Sequence, residues 1–438
     1  MLERFWKLRH EISWIIVGQA LGFVGGFIGI KVLTNVMGPK GYGQLALGLS
    51  IAGLFSMFLY GPIANAVLRF FVVYREQGKL GVYFSLLKKC HLLLIFAVSF
   101  LAFGACGIAW YYLGTEWALI ILFSSLYGIA SGINASYLSL QSAVRQRKIA
   151  ALHQGADVLL RVGLSIVLLL AFKNSGYISL MGYLLGTLIV TVSQWFFALK
   201  NPDVRENWLV PVDASEERKA RAELSGYAGS FVIFSGFAAI SMYADRWILQ
   251  GFFGEGYVGI YAAIFQIAAA PVNILFAMVN QLMVPIVFER AGSMTTTAQA
   301  VDSAVMVRAT IIVSGVLAVF LVLAAYLLGE PLVRLLTSAA FAGYHAILWL
   351  TVLGLSLFNI GQLFCLKGLY CNQPRIYIWP KGVQAASLLA FGFPLVRNWG
   401  LLGMSTALCA SSLLYIIIVL VVNRRIKTGA EASEAGQA

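Results

Sequence analysis

CHLLLIFAVSFLAFGACGIAWYYLGT, Cys90 to Thr115, contains no Asp, Glu, Lys or Arg. A bilayer's hydrocarbon layer is about 30 Å thick, and about 20 apolar residues cross it as a helix, because only a helix or a closed barrel satisfies its own backbone hydrogen bonds there. This run is long enough to span. Moving outward, Ile12 to Ile30, Gly41 to Leu68, Trp117 to Val144 and Asn174 to Leu199 are equally free of charge. Six more such runs follow: Ser225 to Ala244, Gly256 to Phe288, Ala309 to Gly329, Leu335 to Leu366, Gly382 to Val396 and Asn398 to Asn423. A twelfth, Ala156 to Phe172, carries Asp157 and Arg161. The reading is an all-α integral membrane protein of about twelve transmembrane helices.

Composition agrees. The chain is 60% hydrophobic and 11% charged, with a mean hydropathy of +0.84, outside the range of water-soluble domains. Arg4, Lys7 and Arg9 precede the first apolar run without a small-residue cleavage pattern, so that run is expected to be a retained span and not a removed signal. Cys90, Cys106, Cys365, Cys371 and Cys409 lie in or beside apolar runs with no metal-ligand spacing, and read as small core residues. No cofactor and no metal site is expected.

The net charge of +13 is explained by placement. With the N-terminus inside, 24 of the 31 Lys and Arg residues fall on cytoplasmic ends and loops. Lys31, Lys40, Lys173, Arg246, Arg334 and Arg397 fall outside, and Arg161 lies within a span. This is the positive-inside pattern, which puts both termini in the cytoplasm and leaves no nucleic-acid partner to invoke. No outer connection is large enough for a catalytic domain; the longest, Glu330 to Phe341, is partly apolar.

The chain reads as a duplication. Gly38-Pro-Lys-Gly-Tyr-Gly-Gln-Leu-Ala46 resembles Gly254-Glu-Gly-Tyr-Val-Gly-Ile-Tyr-Ala262 at an offset of 216, and the same offset carries the loop at Tyr74 to Lys89 onto Arg290 to Val305. Expected boundaries are an N-terminal six-helix bundle over 1–200, a cytoplasmic linker over 201–224 containing Pro202 and Pro211, a C-terminal six-helix bundle over 225–423 and a cytoplasmic tail over 424–438. Paired bundles of this kind suit a secondary transporter with a central cavity.

Asp245-Arg-Trp-Ile-Leu-Gln-Gly-Phe-Phe-Gly254 with Gly259-Ile-Tyr261, and Val32-Leu-Thr-Asn-Val-Met-Gly-Pro-Lys-Gly-Tyr-Gly43, resemble the seventh- and first-helix patterns of polysaccharide-transport flippases. These are the O-antigen and lipopolysaccharide-biosynthesis branch of the multidrug, oligosaccharidyl-lipid and polysaccharide exporter superfamily. The resemblance implies a flippase in a bacterial inner membrane, moving undecaprenyl-pyrophosphate-linked oligosaccharide to the outer leaflet by alternating access for O-antigen or exopolysaccharide synthesis. Its partners would be the lipid-linked oligosaccharide, the bilayer, and polysaccharide polymerase and chain-length proteins.

A pyrophosphate headgroup needs Arg or Lys facing a wet cavity. Arg161 is the leading candidate, because a charge near the middle of a span costs about 2.5 to 3.5 kcal/mol on insertion scales. His153, Asp157 and Arg161 recur at i, i+4 and i+8 and form one stripe, expected to face the cavity; the alternative is an Asp157–Arg161 pair that only neutralises itself. Arg69, Lys367 and Lys31 are further cationic candidates, with snorkelling to the interface as the alternative for the first two. His153, Asp157, Asp245 and Arg246 are gate or coupling candidates, although Trp247 marks the last pair equally as an interfacial anchor. Tyr60, Asn65, Tyr137, Gln141, Tyr243, Asn273, Asn280 and Gln281 are available to contact sugars or to pack helices.

Two other functions stay open. A multidrug or cation antiporter of the same superfamily would share the architecture but prefers an anionic cavity, which an arginine inside a span opposes. A membrane-embedded polymerase or ligase would need a large outer loop or clustered carboxylates, and neither a catalytic constellation nor a phosphate loop is present.

Overall fold

The computed structural model describes residues 2–291, 297–371 and 373–426. The loop from Arg290 to Val305 and the 424–438 tail therefore lie partly outside the described residues. Every regular element among those described is helical. Nine helices there are long and apolar enough to cross a membrane by length and composition, so the chain is a multi-pass membrane protein.

The chain divides into two compact units, Met1–Ala239 and Ile240–Ala438. The first contains α1 (Leu2–Phe55), a π-turn, α2 (Gly61–Glu76), α3 (Leu80–Leu113), α4 (Thr115–Ala143), α5 (Arg147–Ala171), α6 (Gly176–Leu199), the short α7 (Pro202–Asn207) and the start of α8 (Ala214–Phe253). The second holds the rest of α8, then α9 (Glu255–Ala291), α10 (Thr297–Leu327), α11 (Gly329–Leu336), α12 (Ala339–Ala342), α13 (Ile347–Phe364), α14 (Leu366–Tyr370) and α15 (Ile378–Arg425).

Glycine makes the joints. α1 breaks at Gly38, whose φ of 64° is the left-handed region, and Pro39 follows at the start of the next helical stretch. Gly254, 216 positions later, joins α8 to α9 with φ 79°. α15 breaks likewise at Gly400, φ 56°.

α5 starts at Arg147, before the expected Ala156, because its polar residues find partners within the protein and do not interrupt the helix. It is clasped from two sides. Gly182 and Gly186 of α6 lie so close that a Cβ at Gly182 would stand 2.4 Å from Ser165 Cα, and one at Gly186 2.6 Å from the Arg161 nitrogen. Gly29 of α1 meets Val162 on another face. In lipid there is no hydrophobic drive between helices, so close approach at small residues supplies the cohesion. The hydroxyls of Ser165 and Ser179 then bond at 2.6 Å inside the contact.

The stretch 201–224 is tied to the first unit. Arg75 pairs with Asp203 at 2.9 Å, Lys79 with Glu216 and Lys89 with Glu217 at 2.6 Å, and the Lys88 amine donates to the Trp208 carbonyl at 2.6 Å. Trp208 packs on Phe84 with ring centres 5.2 Å apart. The connection from Glu330 to Phe341 winds into α11 and α12.

Candidate functional site

The first unit holds a charged cluster built on α5. Arg161 lies 14 residues past Arg147, about 20 Å along the helix at 1.5 Å per residue. Its Nη1 donates to the Tyr127 hydroxyl of α4 at 2.6 Å, and its Nε donates to the Asp157 carbonyl at 3.2 Å and stands 3.2 Å from Asp157 Oδ2. The guanidinium also sits 5.7 Å from the Tyr183 ring centre of α6. Asp157 is completed by the Thr187 hydroxyl, which donates to Oδ1 at 2.8 Å. His153 lies one turn away, with Nε2 3.0 Å from the Ser193 hydroxyl and Nδ1 2.8 Å from the Ile149 carbonyl.

His153 and Asp157 are buried, and the stripe they begin is turned towards α6. The ion pair and the helix packing are therefore one arrangement. The Arg161 side chain keeps 23% exposure. An arginine at this depth is costly unless paired and hydrogen-bonded, and here both conditions hold.

The second unit has a cation in a comparable frame with a different outcome. Lys381, in the first turn of α15, is 2% exposed. Its amine lies 3.7 Å from the Phe358 ring centre of α13 and 5.5 Å from that of Tyr415, further along α15. In each unit, then, a cation is held between aromatic residues of two neighbouring helical segments. Arg161 has a carboxylate beside it; no ion pair of Lys381 occurs among the described residues. Sequence reading placed Lys381 in a cytoplasmic loop and missed it. The signal was present: Pro331 to Ala430 contains no Asp or Glu, so any lysine buried there lacks a local counter-charge.

Asp245 and Arg246 are both buried and pair with each other, Nη1 to Oδ1 3.3 Å. Arg246 also donates to the Met242 carbonyl at 2.8 Å and lies near the Tyr243 and Phe265 rings, 5.5 and 5.4 Å from their centres. Lys367 donates to the Asn423 carbonyl at 2.8 Å, where it secures the last turns of α15. Lys31 is half-buried on α1, and Arg69 is exposed on α2. The cationic candidates of the first unit are not assembled into one cluster by the bonds around Arg161.

Among the residues considered for sugars, Tyr60 and Gln141 are fully buried in the first unit and serve packing. Asn273, Asn280 and Gln281 on α9 are exposed, and so is Gln266. Gln266, Asn273 and Asn280 recur every seven residues, so they share one face of α9 at intervals of about 10 Å. The spacing was legible in the sequence, but its exposure was not. No group of three or more His, Cys, Asp or Glu placed to hold a metal occurs among the described residues, and all five cysteines are free thiols.

Comparison with known proteins bears on this arrangement. No curated protein sequence matches the chain. Solved structures do. One, named as lipid II flippase MurJ in an inward closed conformation, superimposes with TM-score 0.66 at 13% identity, covering 95% of this chain and 88% of that one. An inward-facing multidrug resistance MATE family transporter of the MOP superfamily gives TM-score 0.63 at 14% identity over 94% and 97%. The eukaryotic MATE transporter AtDTX14 gives 0.59 at 12% over 98% of each chain. At these identities the likeness is one of fold. The family model described as polysaccharide biosynthesis protein matches residues 8–291. With most of its 438 residues inside that match, the chain belongs to the polysaccharide biosynthesis protein family.

Proposed function

We propose that this chain is a flippase that carries undecaprenyl-pyrophosphate-linked oligosaccharide from the cytoplasmic to the outer leaflet of a bacterial inner membrane, by alternating access. The product would feed O-antigen or exopolysaccharide synthesis, in company with polymerase and chain-length proteins. Splitting the kinked helices at Gly38 and Gly400 and counting α8 with the nine membrane-length helices gives the proposed twelve spans, with bundles over 1–200 and 225–423 and both termini cytoplasmic.

The observation that carries this reading is Arg161. It is an arginine with a partly exposed side chain, held deep in a spanning helix of a polysaccharide biosynthesis protein. Such a group suits a pyrophosphate, because its planar fork donates to two oxygens at once. The Tyr127 hydroxyl orients it directly, and Thr187 holds its partner Asp157. The amide face of α9 suits sugar hydroxyls, since exposed amides on a membrane-length helix are costly against lipid and favourable against water or a glycan. The membrane potential itself assists export of an anion, by about 2.3 kcal/mol per charge per 100 mV.

The MATE likeness in fold supports one competing reading, cation or drug antiport. Leaflet translocation of a fluorescent undecaprenyl-pyrophosphate oligosaccharide in proteoliposomes, with a cationic dye as competitor, separates the two. Movement of the lipid-linked sugar without dye transport supports the flippase, whereas dye transport driven by sodium or protons, with no lipid movement, overturns it.

A further inference from the structure

Lys381 is a second buried cation with properties opposite to those of Arg161. Arg161 has Asp157 at 3.2 Å and two tyrosines around it. Lys381 is more deeply buried, at 2% exposure, and its amine faces rings. Because Pro331 to Ala430 holds no Asp or Glu, α13, α14 and α15 bring no counter-ion. A guanidinium keeps its charge at every physiological pH, while a lysine amine can give up its proton when hydration is removed.

The surroundings favour neither form decisively. The Phe358 face, 3.7 Å away, returns part of the hydration an ammonium loses on burial. Against this, Lys381 lies in the first turn of α15, where the positive end of the helix dipole opposes a cation. The titratable groups packed around it are uncharged when protonated. Cys365, at the end of α13, bonds to the Tyr415 hydroxyl at 3.3 Å. Tyr415 presents its ring. Tyr377, packed in the same cluster, donates to Asn423 and accepts from the Gly368 nitrogen at 2.9 Å. The neighbouring Lys367 is directed at the Asn423 carbonyl.

We propose that Lys381 is a proton-exchange site of the C-terminal unit, binding and releasing a proton as the helices around it open and close during transport. On release the N–H bond breaks, its electron pair stays on nitrogen, and the proton passes to water admitted by the opening; on closure the amine is sealed against Phe358 and Tyr415. The coupling to transport rests on the flippase reading, but the proton exchange does not.

The test has two arms on the full-length chain. In lipid nanodiscs, proton titration through the physiological pH range is compared between wild type, Lys381→Met and Lys381→Arg, with thermal melts to confirm that each folds. The four histidines titrate in all three forms, so the expected result is one proton per chain more exchanged by wild type than by either variant; coincident wild-type and variant curves would overturn the proposal. In proteoliposomes, flipping of the fluorescent undecaprenyl-pyrophosphate oligosaccharide is followed under an imposed pH gradient. The wild-type rate is expected to change several-fold with the gradient and both variants to lose that response. If Lys381→Arg keeps the gradient response and Lys381→Met loses it, a fixed positive charge for an anion is what matters, and the proposal falls. If Lys381→Met keeps the response, the role is packing alone and the proposal falls equally. Wild-type titration with no lipid movement by any form would support the proton site while removing the flippase reading.

Discussion

The Arg161 guanidinium donates to the Tyr127 hydroxyl at 2.6 Å, so one cation joins α5 to α4 while Asp157, bonded to Thr187, joins α5 to α6. Charge and packing are shared among three helices. Arg161→Ala leaves Asp157 without its cation, and loss of one partner of a buried pair costs about 3 to 5 kcal/mol; with 23% exposure of the arginine side chain, the lower end is expected. Flipping should fall about ten- to a hundredfold, the equivalent of one or two charge-assisted hydrogen bonds, while the chain still inserts. Asp157→Asn with Arg161→Gln should recover the melting temperature in detergent but not transport. Wild-type flipping by the double variant would remove Arg161 from the mechanism.

The α5–α6 contact predicts a stability effect independent of charge. Gly182→Ala drives a methyl to within 2.4 Å of the Ser165 backbone, which cannot yield without moving a helix. Overpacking of this kind costs about 1 to 3 kcal/mol. Gly163→Ala, with no atom within 4 Å of the added carbon, is the control and should melt like wild type.

Gly38 and Gly254 test the duplication at its joints. A Cβ at either meets nothing within 4 Å, so the cost of Gly38→Ala or Gly254→Ala is conformational, about 1 to 2 kcal/mol for a side chain held at positive φ. Both should lower the melting temperature by similar amounts. A neutral result at either would show that its joint relaxes to another backbone conformation.

Glu217 links α8 to α3. Its bond to the Lys89 amine holds its carboxyl below the usual range, with help from Arg221. A carboxyl depressed in the folded state contributes stability that is present above its unfolded value, about pH 4.3, and is lost as pH falls through the folded value. Wild type should therefore lose stability below about pH 4 more steeply than Lys89→Met. Parallel acid profiles would show that the pair contributes nothing.

On α9, Asn273→Leu and Asn280→Leu remove exposed amides without touching the core. Melting should be unchanged, and flipping of the oligosaccharide-linked lipid should fall more than that of the same lipid carrying a single sugar. Equal loss for both substrates would separate this face from glycan recognition.

Much of this was legible in the residues. A charge-free run such as Cys90 to Thr115 has one physical solution in a bilayer, so α3 was readable from composition alone. Gly38 and Gly254 were legible because a glycine followed by a fresh helical stretch needs no partner to define its role. The i, i+4 spacing put His153, Asp157 and Arg161 on one face of α5. It did not say which neighbour that face meets. That depended on α6, whose Gly182-Tyr-Leu-Leu-Gly186 spacing brings Thr187 and Ser193 within bonding distance.

Lys381 marks the boundary most sharply. By sequence it is one more basic residue after a proline, on the cytoplasmic side of a span, and the positive-inside pattern accounts for it without remainder. Its burial against Phe358 and Tyr415 joins residues 23 and 34 positions away in the chain. The sequence by itself determined the membrane class, the helical periodicity and the absence of Asp and Glu from Pro331 to Ala430, because these depend on local composition. Only the tertiary structure decided which cations have a counter-charge and which do not, because electrostatic energy depends on distance through space and on the water that packing excludes.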